Sequence, residues 1–396
     1  MEQWAYSRAR SRFHNRPMAM PDTLPHTPAQ LRLQQIERAR QAVFVEGRSA
    51  TEVLVDSWFE SSWIERSWRR CLANGQRPDQ RVSFDVLPAQ APRRAREANQ
   101  ALLQAARPVL VKLGRAIANS HYFAILTDAQ GIVIDVDGPI DRSDRRAHLI
   151  TRVGTDLSER AVGTTAIGAV LAEKQPVWLH RGEHFFDDTS IFSCAGAPLF
   201  GPTGDCVGML DLTGIEAAER PELKHLVAQS ARSIENALTL AQPHQLVLRL
   251  NWPGRALGGD GDGLICLDAD GNITAVNATA REMVWQLAVH RAPAATHCAE
   301  LFAMPWEMLF DAAGRDTPLE APLWSGLTVQ LLARHAGDTA PAPAAALAPR
   351  LPLRDLETSL IRRAVDEARG NVMQAARALG ISRATVYRKL GNRKES

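Results

Sequence analysis

The chain has 396 residues, more than one hydrophobic core ordinarily serves, and its 45% hydrophobic and 23% charged content excludes a collagenous, mucin-like or wholly disordered protein. A formal net charge of +2 singles out no partner, since basic character matters only where it is concentrated. No apolar run approaches the roughly 18–20 residues a spanning helix needs, and MEQWAYSRARSRFHNR lacks the apolar centre of a secretory leader, so a cytoplasmic protein without membrane association is expected.

Residues 1–54 carry Pro, His and Arg clusters and one polar helical stretch, LRLQQIERARQAVF, and are expected to be flexible or partly helical. A helical lead-in over 55–93 contains WFESSWIERSWRRCLANG, where Trp58, Trp63, Ile64, Trp68 and Cys71 recur at helical spacing, a pattern of packing rather than of a ligand cage. The module over 94–241 opens with a helical run from Ala95 to Asn119. YFAILTDAQGIVIDVDG follows as two strands around a DAQG turn. LSERAVGTTAIGAVLAEKQPVWL reads as a helix capped by Ser158, a break at Pro176 and a strand. SCAGAPLFGPTGDCVGMLDLTG repeats the strand pair around GPTG, and a helix with Leu226, Val227, Ile234 and Leu238 closes the module. This order predicts an antiparallel sheet carrying helices. Over 255–336, GDGLICLDADGNITAVNATAREMVW gives a strand, a DADG turn, a strand and a helix from about Asn277, and LEAPLWSGLTVQLLAR gives later strands in a span short for a complete domain. GDTAPAPAAALAPRLP, 337–352, is a Pro/Ala-rich linker.

Over 353–396, Leu356, Leu360, Ile361, Ala364, Val365 and Ala368 form one helical face, which Gly370 ends. Asn371 and Gln374 fit a capping box for a second helix with Val372, Ala375, Ala376 and Leu379 on its apolar side. Gly380 suits a positive-φ turn, Ile381 plugs the junction, and Ser382 caps a third helix whose inner residues include Val386 and Leu390. This is the pattern of a helix-turn-helix. From Leu351 to Ser396 there are ten Lys/Arg against five Asp/Glu, and from Ser382 to Lys394 five basic and no acidic residues, a local field that attracts phosphate. Arg383, Thr385, Tyr387, Arg388 and Lys389 face outward. Arg383 and Thr385 are the base-edge candidates, while Arg388 and Lys389 suit either bases or backbone. A basic but silent three-helix bundle is the bland alternative.

An enzyme would have to be built from His180, Glu183, His184, Cys194, Asp205 and Asp211. HRGEH is not HExxH, because Glu183 precedes the second His instead of following the first. Cys194 has no adjacent basic residue to lower its pKa. GTTAIG lacks both GxGxxG spacing and a preceding strand, and its glycines suit close helix packing beside a cavity. Cys71, Cys194, Cys206, Cys266 and Cys298 are far apart and without a CxxC pair, which predicts reduced thiols and no metal site. No catalytic residue is assigned.

GNVMQAARALGISRATVYRKL resembles the factor-for-inversion-stimulation type of DNA-binding domain at the C-termini of bacterial enhancer-binding activators. GTTAIG, HRGEHF and SCAGAPLFGPTGDCVGMLDLTG resemble the GAF sensory domain of activators that control acetoin and related catabolic pathways. WIERSWRRC is similar to their helical lead-in, and GDGLICLDADGNITAVNATA is similar to the front of a PAS domain. The resemblance implies an α+β multidomain protein: a GAF-like antiparallel sheet with helices, a PAS-like α+β domain and an all-α C-terminal helix-turn-helix. It also implies a homodimer on double-stranded DNA with Ser382, Arg383, Thr385, Arg388 and Lys389 as contacts, to which the outward-facing Tyr387 is added. A GAF-like cavity implies a small-molecule effector or a haem or other cofactor, between which Thr164, Thr165, His180, His184 and Cys194, the candidate ligand-side residues, do not choose. RNA polymerase or another activator is the further partner implied.

Full-length members place an AAA+ ATPase between sensor and DNA-binding domain. Here no GK pair occurs, so a Walker A lysine is absent; no GAFTGA-like loop occurs either, and 337–352 leaves no room for such a module. The expectation is a DNA-binding, signal-responsive transcriptional regulator without its own ATPase. The alternative is a non-catalytic interaction protein that modulates full-length sigma-54-dependent activators and binds DNA weakly.

Overall fold

The computed structural model describes residues 28–50, 62–84, 88, 90–289, 296–315 and 317–337, together with 365, 372–378, 383 and 386. The chain divides into two units, Met1–Arg334 and His335–Ser396. The first begins with helix α1 (Pro28–Arg40), which runs into a π-helical turn (Gln41–Val45). Ile36, Ala39 and Val43 fall on one helical face and are buried, as are Ala42 and Ala50. The polar sequence of this stretch suggests a loosely held segment, yet residues 36–50 contribute to the core. Helix α2 (Ser62–Ala73) buries Trp63, Ile64, Ser67, Trp68 and Cys71, the stripe that their spacing predicts; Trp58 lies outside the described residues. The helical run from Ala95 falls into α3 (Ala91–Ala98) and α4 (Gln100–Ala116), divided at Asn99, whose Nδ2 donates to the Ala95 carbonyl at 2.8 Å.

Five strands follow: β1 (Tyr122–Asp128), β2 (Val133–Asp137), β3 (Val177–His180), β4 (Phe192–Phe200) and β5 (Cys206–Ile215). They form an antiparallel sheet in the order β2-β1-β5-β4-β3. The DAQG turn is set by Asp128, whose Oδ1 accepts from the Gln130 and Ile132 amides, both at 2.9 Å. Alternate residues of β1 point to opposite layers. Phe123 and Ile125 join the core formed with α1, α2, α5 (Arg145–Ile150), α6 (Glu159–Val162) and α7 (Ala166–Glu173). Tyr122, Ala124 and Leu126 join the core formed with α4 and α8 (Leu223–Leu240).

The helix read through AVGTTAIGAVLAE is broken between α6 and α7. Gly163 adopts φ +68, where a Cβ would also stand 2.8 Å from the Phe186 ring, and Thr165 caps α7 by accepting from Gly168 N at 3.3 Å. At Gly168 a Cβ would come within 2.7 Å of Glu159 Cβ, so this glycine sets the close approach of α6 to α7.

A second five-stranded sheet contains β6 (Leu246–Asn251), β7 (Gly263–Leu267), β8 (Ile273–Val276), β9 (Leu319–Pro322) and β10 (Thr328–His335), in the order β8-β7-β6-β10-β9. Asp268 shapes the DADG turn as Asp128 shapes DAQG, accepting from Asp270 and Asn272 amides at 3.0 and 2.8 Å. Asn277 caps α9 (Ala278–Met283) through Ala280 N at 2.8 Å; α10 (Trp285–Val289) and α11 (Glu307–Asp311) follow. The spatial order matches the first sheet, except that the middle strand is supplied by the first strand in sequence, β6, instead of the last. The two sheets are tied through α8, where Asn277 Nδ2 donates to Asn236 Oδ1 at 2.7 Å, and through the β4–β5 turn, where the Pro202 carbonyl accepts from Val276 N at 3.2 Å and Arg281 Nη2 at 3.0 Å.

In the second unit, α12 (Val372–Ala378) buries Ala376, which packs with Val386, Val365 and Val372. Arg383 is helical and exposed. Ser382, Thr385, Tyr387, Arg388 and Lys389 lie outside the described residues, as does the Pro/Ala-rich stretch beyond Gly337. The protein is thus α+β, with two antiparallel sheets bearing helices and a helical C-terminal unit. Among the described residues no helix is long and apolar enough to cross a membrane.

Candidate sensor cavity

The central strand β5 places Asp211 and Thr213 on the face covered by α7; β4 adds Cys194, and the 3₁₀ turn Arg181–Glu183 after β3 delivers His184. These four side chains line a cavity of about 30 Å³, walled otherwise mainly by Ile125, Ile150, Leu157, Val162, Ile167 and Phe192. Its volume is that of about two waters. A porphyrin does not fit the cavity as it stands, since drug-sized ligands need some hundreds of Å³.

The hydrogen bonds fix the donors. The Arg181 carbonyl can only accept, so His184 Nδ1, 2.8 Å away, carries the proton and Nε2 is an acceptor. Cys194 Sγ lies 3.5 Å from that Nε2 and 3.4 Å from Thr213 Oγ1. The Thr213 hydroxyl donates to Asp211 Oδ2. Asp211 Oδ1 is buried and has no hydrogen-bond partner in the protein. Burial dominates the electrostatics: it pushes the Asp211 carboxyl up to about 7 against the Thr213 hydrogen bond, raises the Cys194 thiol well above its usual range, and lowers His184 to about 4. At neutral pH the imidazole is therefore neutral and the thiol protonated. Such a thiol is a poor nucleophile, and the arrangement is suited to hydrogen bonding.

The HRGEHF segment that delivers His184 is held from the N-terminal helices. Arg40 on α1 donates through Nη1 to the carbonyls of Gly182 (3.0 Å), His184 (2.7 Å) and Phe185 (3.3 Å), and through Nη2 to Asp187 at 2.6 Å. Its guanidinium lies 4.9 Å from the Phe44 ring centre and 6.0 Å from that of Trp68. Trp68 Nε1 donates to the Glu183 carbonyl at 2.8 Å. The buried Glu183 carboxylate accepts from Arg32 Nη2 at 2.8 Å and from His180 N at 2.6 Å, which engages it in holding the turn.

Of the ligand candidates read from the sequence, Thr165, His184 and Cys194 line the cavity. Thr164 does not: it accepts from the Cys71 thiol at 3.6 Å and donates to Ser67 Oγ at 2.7 Å, which in turn donates to Glu159 at 2.6 Å, joining α2 to α6. His180 is also elsewhere, with Nδ1 on Ser193 Oγ at 2.8 Å. Asp205 sits in the GPTG turn with Thr203 at 3.1 Å. Asp211, absent from the ligand candidates, is the polar centre of the cavity; its sequence signal is a lone acid inside the apolar strand CVGMLDLTG. Among the described residues no three His, Cys, Asp or Glu side chains gather as a metal site.

The fold defines an α+β protein with a helical C-terminal unit, and residues 352–392 match the family described as bacterial regulatory protein, Fis family. Residues 35–236, half of the sequence, match the family described as MimR, N-terminal domain, and the chain belongs to that family. It is 32% identical over 271 residues to the acetoin catabolism regulatory protein of Cupriavidus necator, covering 67% of this chain and 40% of that one. It is 30% identical to the acetoin dehydrogenase operon transcriptional activator AcoR of Bacillus subtilis over 44% of this chain and 29% of that one. The chain thus spans two fifths or less of the length of these relatives. The crystal structure of the E. coli DhaR(N)–DhaL complex is similar at a TM-score of 0.41 and 18% identity, over 69% of this chain and 99% of that one.

Proposed function

We propose that the protein is a sequence-specific DNA-binding transcriptional regulator whose GAF-like module responds to a small molecule, acting in the cytoplasm as a homodimer and without ATP hydrolysis or other catalysis of its own. The observation that carries this reading is the union, in one chain, of a Fis-family helix-turn-helix match and an apolar-walled cavity in the matched MimR-type module. In this reading 55–93 leads into a sensor over 94–241, 255–336 is PAS-like, 337–352 is a linker and 353–396 grips DNA. The effector acts only through a difference in its affinity for two states of the protein. Regulation then comes from where the protein binds and whether it recruits or blocks RNA polymerase or an activator.

Selection from a genomic fragment library, followed by anisotropy titration at several salt concentrations, tests the reading. Binding should weaken steeply with salt, as phosphate neutralisation requires. The Arg383→Ala/Arg388→Ala variant should lose at least about tenfold in affinity; wild-type affinity in that variant would remove the assigned contacts. The match to longer regulators favours a second reading, in which the chain forms mixed complexes with full-length activators. Weak DNA binding alone, with a stable complex on co-expression with such an activator, is its signature.

A further inference from the structure

Where the two sheets meet there is a cleft of about 250 Å³, against about 30 Å³ for the cavity beside Asp211. Helix α8 and the end of β4 form one side, α9 the other, and the residues just past α7 complete it. Four charged side chains line it. Arg232 and Glu235 are one turn apart on α8 and stand side by side, Glu282 comes from α9, and Lys174 ends α7 in a left-handed conformation with φ 54. These charges do not neutralise one another. Among the described residues the side chains of Lys174, Arg232 and Glu282 make no ion pair or hydrogen bond. Glu235 is only 5% exposed and accepts from Phe200 N through Oε1 at 2.8 Å, while its Oε2 has no hydrogen-bond partner among the described residues. Burial pushes this carboxyl up to about 7; the Phe200 amide and Arg232 pull it down, and Glu282 pushes it further up. Between the charges the wall is apolar, with Pro198 and Phe200 on the β4 side.

We propose that this cleft binds a free α-amino acid with an apolar side chain, its ammonium on Glu235 and Glu282, its carboxylate on Arg232 and Lys174, and its side chain against Pro198 and Phe200. A ligand of one sign satisfies two of the four charges and is repelled by the other two, and a neutral ligand leaves all four unmatched; a zwitterion answers both pairs. The spacing selects the kind of zwitterion. Arg232 and Glu235 have Cβ atoms about 5–6 Å apart on one helix face, which suits a carboxylate and an ammonium carried on the same carbon. The Arg232 guanidinium offers the planar fork that a carboxylate accepts from. Because α8 and α9 both contribute, an occupant stabilises the arrangement in which α9 lies against α8 and gives the second sheet a signal of its own. The site is separate from the Asp211 cavity and stands or falls without it.

The test is titration calorimetry of the full chain, without DNA, using L-leucine, isoamylamine and 4-methylpentanoate, the last two being leucine without its carboxylate and without its ammonium. L-leucine should bind saturably, and each half-charged analogue about tenfold or more weakly. Arg232→Gln and Glu282→Gln change exposed side chains and leave the fold intact, and each should lose about tenfold in leucine affinity. Glu235→Gln keeps an oxygen for the Phe200 amide and should lose as much. The charged groups facing Glu235 across the cleft are Arg232 on its own helix, Glu282 on α9 and Lys174 past α7. Leucine affinity should therefore rise several-fold between about pH 6 and 8 as Glu235 ionises, and the rise should vanish in Glu235→Gln. No saturable leucine binding, an analogue that binds as tightly as leucine, or undiminished binding in Arg232→Gln or Glu282→Gln overturns the proposal. DNA binding without leucine binding sinks it and leaves the regulator reading; leucine binding without DNA binding does the reverse.

Discussion

Replacing Arg40 by Ala tests the claim that the N-terminal helices hold the cavity wall. The Arg40 side chain is only 12% exposed, while its partner Asp187 is 66% exposed, so the ion pair itself contributes less than about 1 kcal/mol. The larger share comes from three backbone carbonyls that share one guanidinium nitrogen. Net charge-assisted hydrogen bonds are worth about 1.5–3 kcal/mol, and three on one donor nitrogen do not add, so about 2 kcal/mol is assigned to the set. Loss of the cation above Phe44 and Trp68 adds roughly 0.5–1 kcal/mol. The total is about 3 kcal/mol, or roughly 6–12 °C in melting temperature for a domain of this size. Scanning calorimetry of the full chain measures it, with Arg48→Ala as control, since Arg48 is 57% exposed and among the described residues its ion pair is with Glu46 at 3.5 Å. Arg40→Lys should fall between, because an ammonium cannot span the carbonyls and Asp187 as a planar fork does. A drop in Arg40→Ala no larger than in Arg48→Ala refutes the reasoning.

Burial raises Asp211 and Glu235 to about 7 and lowers His180 and His184 to about 4. Ionising the two acids costs stability as pH rises from about 4 through 7, and protonating the two histidines costs stability as pH falls from about 6.5 to 4. The slopes oppose, so Asp211→Asn, by removing one raised acid, should make stability rise with pH more steeply than wild type by about 1.4 kcal/mol per unit between about pH 5 and 6.5; parallel urea midpoints for the two proteins contradict this. Among the thiols only Cys206 is half-exposed, and burial pushes Cys71 and Cys298 up to about 11 and Cys266 to about 12. Iodoacetamide near neutral pH should therefore alkylate Cys206 first, with the other four reacting only on unfolding; mass mapping that finds Cys194 modified as fast indicates an open cavity.

What could be read from the sequence was local. Asp128 and Asp268 announce their turns because each carboxylate bonds amides within four residues, and Asn277 announces a helix because its cap lies three residues on. The Trp63–Trp68 stripe needs only helical periodicity. The Arg40 clamp joins residues about 145 positions apart, and nothing near Arg40 marks it off from Arg38. Asp211 was visible as an acid in an apolar strand, but its unpaired oxygen depends on what β4, α7 and the HRGEHF turn bring against it. Strand β6 is flagged only by the Pro253–Gly254 turn after it, and its place between β7 and β10 depends on strands far along the chain; Gly163 splits a helical pattern because the Phe186 ring occupies the space a side chain would take.

The placement of β6 also bears on how the molecule can be divided. It follows α8 after Leu240 by a short connection, yet stands in the middle of its sheet, bonded to β7 on one side and β10 on the other. A fragment beginning at 255 would lack that strand and expose two long hydrogen-bonding edges, each open to another chain. Conversely, a fragment ending at 241 would strip α8 of Asn277 and the residues packed on Leu240. The two sheets are therefore spliced rather than strung together: a push on α8 reaches the middle strand β6 through the chain and the edge strand β8 through the Asn236–Asn277 bond.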